Sequence, residues 1–216
     1  MTDQEIFVRA SRFWRLAGRV EPFPRLLERA IAWALPLTIV KLPRLSFPDL
    51  RIWLAQRGIS FMFSHSDRSL RACLIAKAGR GIIFLDGSDP DDERRFSLAH
   101  EVAHFILDYQ EPRERALKLL GAAGPEVLEG RRPPTTEERL RGILHGVKLG
   151  IFTHLMERSP DGAVNSIDIL EAEDRADRLA LELLAPRATV FTRIEQANVM
   201  CADPEAFLLT HSKPTG

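Results

Sequence analysis

The feature that most constrains this chain is the pentad HEVAH at residues 100–104, set inside RRFSLAHEVAHFILDY. Phe96, Leu98, Ala99, Val102, Ala103, Phe105 and Ile106 recur around it at helical spacing. The segment from about Asp91 to Asp108 therefore reads as one helix, with Asp91, Asp92 and Glu93 at the positive end of its dipole. Residues four apart on a helix stand one turn above each other. His100 and His104 can thus turn both imidazoles toward one metal ion, with Glu101 beside them in reach of a water on that ion. Two imidazoles, one further ligand and an open position suit catalytic zinc, with the glutamate as general base. The competing reading is two surface histidines on an amphipathic helix. The small and apolar neighbours argue against it.

Such a site needs a third protein ligand. A histidine in the HExxHxxGxxH frame is excluded, because FILDYQ follows His104. The last strongly patterned helix, about Ile167 to Leu184, contains ILEAEDRADRLALELL and ends before Pro186. Leu179, Ala180, Leu183 and Leu184 form its buried side. Glu173 could then ligate the metal. Asp177, four residues on and on the same face, could accept a hydrogen bond from the other nitrogen of a ligating histidine. Glu171, Asp174 and Glu182 are the rivals for the ligand role.

The rest of the chain fits around this pair of helices. Residues 3–17 and 24–35 carry helical patterns, and LTIVKL follows as a short β-like stretch. Ser46 is a good N-cap for FPDLRIWLAQRG, with Pro48 in the first turn, Gly58 as the stop, and Leu50, Trp53 and Leu54 as the apolar face. ISFMF, SLRACLIAK and GIIFLD are rich in β-formers, and the last two read as a hairpin. The strand Gly81–Asp86 is placed to pair with an extended substrate by edge addition. Residues 110–134 are charged and broken by glycine and proline. A helix is expected from Thr135 or Thr136 to about Arg158, followed by the loop SPDGAVNS; its His145 and His154 are weaker candidates for an oxyanion helper and read rather as ordinary polar-face residues. Trp14, Trp33 and Trp53 read as core, and Arg9, Arg12, Arg15 and Arg19 as a solvated helix face. No oxyanion helper stands out; Tyr109 is the only tyrosine. Without a βαβ rhythm, the fold class is α+β, a small sheet and hairpin against the HEVAH helix.

Composition removes other classes. Thirty basic residues balance thirty acidic ones over 216 positions. That balance argues against wrapping nucleic acid, which needs a basic excess to displace counterions. Cys73 and Cys201 are far apart and form no zinc-knuckle spacing, which suits a reducing, cytoplasmic compartment. Peptide deformylases pair HExxH with an upstream cysteine, but RACLIA lacks their EGCLS setting, so Cys73 reads as a small buried hydrophobe. The longest apolar run, Ala30 to Val40, is about half of what a bilayer needs and contains Pro36. The N-terminus lacks a signal-peptide pattern. No membrane association is expected.

RRFSLAHEVAHFIL followed by EDRADRLALELLAP resembles the ImmA/IrrE metallo-endopeptidases, whose usual pattern is RFTLAHELGH and then ExxANxFAxxLLMP. Arg95, Phe96, Leu98, Ala99, His100, Glu101 and His104 match the first part, and Glu173, Ala176, Ala180, Leu183, Leu184 and Pro186 the second. Asp177 stands where asparagine is usual. FPDLRIWLAQRGI resembles the family's upstream helix, so the likeness covers roughly residues 46–190. It implies a zincin-like domain over that range, preceded by an N-terminal helical extension (1–45) and followed by a short tail (191–216). It also implies zinc (manganese being possible) on His100, His104 and Glu173, and Glu101 as base and acid. Members cleave or inactivate helix-turn-helix repressors and so act in transcription regulation and stress response. The expected function is a zinc endopeptidase acting on a protein regulator. The alternative is a catalytically weak module that binds a repressor or antitoxin without cutting it. Sequence leaves the oligomeric state unknown.

Overall fold

The computed structural model describes residues 1–18, 25–59, 61, 69–121, 124–144, 151–158 and 167–200. The N-terminal pattern forms α1 (Asp3–Leu16), opened by a capping box. Glu5 N–H donates to the Thr2 hydroxyl, and Thr2 N–H donates to the Glu5 carboxylate. Ile6, Ala10, Phe13 and Trp14 are buried along one face, while Phe7 and Leu16 are exposed. Arg9 and Arg12 do not form a merely solvated face. They pair with Glu111 and Glu114, the former at 2.9 Å. Arg19 lies outside the described residues.

Helix α2 (Leu27–Ala34) buries Leu27, Ala30 and Ile31. Trp33, expected in the core, is 77% exposed. It sits two residues past Ile31, about 200° around the helix from the buried stripe, so small Ala30 and branched Ile31 take the inner face. Trp14 is buried as expected, whereas Trp53 is half-buried and packs at the edge of the core.

Strand β1 (Leu37–Leu42) leads to α3 (Phe47–Ala55), where the Ser46 hydroxyl accepts from Asp49 N–H and Pro48 stands in the first turn. Leu50 and Leu54 are buried, and Trp53 meets Phe84 edge to face with centroids 4.9 Å apart. Strands β2 (Leu70–Lys77) and β3 (Arg80–Asp86) form the expected hairpin. Its two-residue turn, Ala78-Gly79, has φ of 52° and 80°. Both positive values fit the type I′ turn that matches strand twist.

The sheet order is β1-β3-β2-β4. β1 runs parallel to β3, while β2 is antiparallel to both β3 and β4. This corrects the edge-addition expectation for Gly81–Asp86: β3 is interior, hydrogen-bonded to β1 on one side and β2 on the other. β4 (Phe152–Glu157) replaces the second half of the helix expected over 135–158. Helix α7 (Thr136–Leu144) ends earlier. Pairing along β2, from Leu70↔Glu157 to Ala76↔Phe152, outweighs the helix preference of Leu155, Met156 and Glu157. His145 and the 159–166 loop lie outside the described residues.

α4 (Asp91–His104) continues into a π-helical turn (Phe105–Gln110), then α5 (Glu111–Leu120) and α6 (Gly124–Leu128). α8 (Ile167–Leu184) packs against α4. Ala99 and Ala103 on α4, with Ala176 and Ala180 on α8, are fully buried in the core cluster that also holds α1, α2, Ile83 and Leu85. Side chains this small let two helices approach closely. On the other face of the sheet, α3 covers Cys73 and Phe84, so Cys73 is the buried hydrophobe expected of it. The molecule is thus an α+β, zincin-like domain. Met1–Leu184, including α1 and α2, is one compact unit; Ala185–Gly216 is a second, containing α9 (Arg187–Met200). No described helix is long and apolar enough to cross a membrane.

Candidate metal centre

α4 places His100 and His104 one turn apart, both 2% exposed, with their Nε2 atoms 3.0 Å from each other. Their outer nitrogens are each held by a carboxylate. His100 Nδ1 lies 2.8 Å from Asp177 on α8, and His104 Nδ1 lies 2.7 Å from Asp108 in the π-helical turn. A carboxylate oxygen accepts, so each Nδ1 is a donor, and the tautomer with a free Nε2 lone pair is the form that a cation between the two rings would take up.

Glu173 completes the inner set from α8. Its oxygens lie 3.2 Å from His100 Nε2 and 3.6 Å from His104 Nε2. Of its rivals, Glu171 and Asp174 are exposed, Asp174 facing Arg178, and none of the three joins the cluster. Burial would raise the Glu173 pKa, but hydrogen bonds from His100, His104 and His154 hold it well below the ordinary carboxylate range.

His154, read from the sequence as a polar-face residue of a helix and at best an oxyanion helper, joins the cluster instead. On β4, it stacks against His104 with centroids 3.6 Å apart. Its Nε2 is 3.1 Å from Glu173, and its Nδ1 is 3.0 and 3.1 Å from the two oxygens of fully buried Glu101. Burial disfavours its charge, but Glu101 and Glu173 outweigh burial and push its pKa up to about 10. Burial likewise opposes a charge on His104, and Asp108 and Glu173 raise its pKa nonetheless. The carboxylates therefore make a negative potential directed at the point where the imidazoles converge. The signal for His154 was the strand-like FTHLME. The signal for Asp108 was its position four residues after His104.

His100, His104, His154 and Glu173 each offer one donor atom, all within 4.8 Å of one another. Donors on a tetrahedral zinc stand about 3.4 Å apart, so side-chain adjustment of about an ångström gathers the set. Nitrogen and carboxylate donors with carboxylates behind them suit zinc chemistry. The centre opens on a cleft of about 900 Å³, walled by Glu5 and Arg9 of α1, Glu111 of α5, Phe152 of β4 and Ala172 of α8. A cavity of about 820 Å³ on the α3 side of the sheet, lined by Leu54, Ile75 and Ile82, contains none of the four. Tyr109 points away: its hydroxyl accepts from Gly79 N–H at 2.7 Å. Cys73 is not among the clustered donors.

Residues 55–128 match the family model described as the IrrE N-terminal-like domain of the M78 peptidases. The matched span includes β2, β3 and the HEVAH helix but ends before β4 and α8. No curated protein and no solved structure matches the chain. Over residues 55–128 the chain is thus similar to the IrrE N-terminal-like domain of the M78 peptidases, in line with the likeness to ImmA/IrrE proteins that its HEVAH motif carries.

Proposed function

We propose that this chain is a zinc-dependent endopeptidase of the cytoplasm whose substrate is a regulatory protein such as a helix-turn-helix repressor. The observation that carries the reading is the convergence of His100, His104 and Glu173 from two helices, with Asp177 and Asp108 behind the imidazoles. His100, His104 and Glu173 would hold the metal. When bound, zinc supplies Lewis acidity toward a water and a peptide carbonyl. Asp177 and Asp108 fix the orientation and tautomer of the two rings. Glu101, on the same helix turn, is the group that takes a proton from the attacking water and returns it to the leaving amine. Complete burial keeps bulk water from competing for its carboxylate. β4 is an edge among the described strands and lines the cleft, so an extended peptide can add beside it.

The test uses purified chain and a candidate repressor. The reading expects about one zinc per chain and cleavage of the repressor. It expects Glu101→Gln to keep the metal and lose cleavage by at least about 100-fold. Full biological activity in that variant would favour a binding module instead.

A further inference from the structure

We propose that His154 is a third imidazole donor to the metal, so that the chain in its substrate-free state closes the centre with four protein ligands. This rests on the zinc-centre reading above and adds what fills the fourth position. The three histidines share one pattern of partners, and the His154 ring, stacked on His104 in this structure, has to turn to bring its Nε2 to the same ion. His100 and His104 each turn Nε2 inward and give Nδ1 to a carboxylate, Asp177 and Asp108 respectively. His154 does the same: Nε2 faces Glu173 at 3.1 Å, while Nδ1 sits between the oxygens of Glu101 at 3.0 and 3.1 Å. A carboxylate on the outer nitrogen is the usual support of a ligating histidine, because it fixes the tautomer that leaves the inner nitrogen free. Glu101 is therefore to His154 what Asp177 is to His100.

Two consequences distinguish this centre from an open hydrolytic one. Four protein ligands leave no coordination position for water, the condition of structural rather than catalytic zinc. The carboxylate needed to activate water is already engaged, both oxygens lying against the His154 ring. The imidazole occupies the space between base and ligand, which an attacking water needs. Peptide cleavage then requires His154 to withdraw. Its backbone sits on β4, which pairs with β2 along one side only among the described strands. An extended peptide adding to the other side of β4 would act on the very strand that carries the blocking group. Substrate binding and opening of the centre are thereby linked through one element.

The test is proton NMR of the whole chain loaded with one equivalent of Co²⁺, which shifts the ring protons of each coordinated imidazole far outside the normal range. Three shifted imidazole sets are expected in the wild type, and two in His154→Ala. The same substitution should weaken zinc binding at least about tenfold in chelator competition. The wild-type spectrum carries the test even if the variant does not fold. Two sets in the wild type, from His100 and His104 alone, would overturn the role given to His154 and leave the peptidase reading standing. Failure of the wild type to take up stoichiometric Co²⁺ would overturn both.

Discussion

The carboxylate of Asp177 lies 2.8 Å from Nδ1 of His100, reaching across the packed helices α4 and α8 from 77 residues away in sequence. Half of the Asp177 side chain is exposed, whereas His100 is almost fully buried. The aspartate can therefore be replaced without opening a core cavity. Asp177→Ala should lower zinc affinity about 10- to 100-fold while leaving the fold intact, because the ring loses the acceptor that fixes its tautomer. Asp177→Asn keeps a hydrogen-bond acceptor and should lose less. Chelator competition on both variants checks this, and wild-type affinity in Asp177→Ala would refute it.

The choice of Glu173 over its neighbours is equally open to measurement. Glu173→Ala should weaken zinc binding at least about tenfold, whereas Glu171→Ala, removing an exposed acid outside the cluster, should not change it. If the two variants bind zinc equally well, the ligand on α8 is misassigned.

Local spacing made the two helices of the centre legible. HEVAH puts both histidines on one face, and Glu173 and Asp177 share a face for the same reason. Leu179, Ala180 and Leu183 also marked which side of α8 turns inward. What spacing could not carry was anything set by partners distant in sequence. FTHLME is compatible with a helix until β2 offers a strand to pair with, and only that pairing brings His154 to Glu101. Trp33 failed for the opposite reason. A large aromatic was read as core, although Leu27, Ala30 and Ile31 had already claimed the inner face of its helix. The interior position of β3 depends on a parallel crossover from β1, which no local pattern announces.

The contact between α4 and α8 should be intolerant of volume. Ala103 and Ala180 have no exposed surface, so Ala180→Leu forces extra methylenes into filled space. It should cost about 1–3 kcal/mol and also weaken zinc binding, because Glu173 and Asp177 are carried by the displaced helix. Leu181→Ala, one residue on and half-exposed, should stay within about 0.5 kcal/mol. Urea denaturation with zinc titration separates the two. Unchanged zinc affinity in a destabilised Ala180→Leu would mean that helix spacing does not set the centre.

Acid sensitivity should have a contribution from a site away from the metal. Asp86, at the end of β3, is buried. It accepts hydrogen bonds from Leu45 N–H, from the N–H and hydroxyl of Ser88, and from Arg158 just beyond β4 at 2.8 Å. Burial on its own would raise its pKa. The bonds from Ser88, Arg158 and Leu45 outweigh burial and hold it below the ordinary 3.8. A carboxyl whose folded pKa is depressed favours folding while ionised. Its contribution is present in full above about pH 4 and is lost as pH falls through the folded value. Asp86→Asn should therefore cost about 1–3 kcal/mol at neutral pH and show a shallower loss of stability below pH 4 than the wild type. Urea unfolding of the metal-free proteins from pH 6 to pH 2 removes zinc release as a confounder. Parallel stability curves for the two proteins across that range would mean that Asp86 is not a source of the acid response.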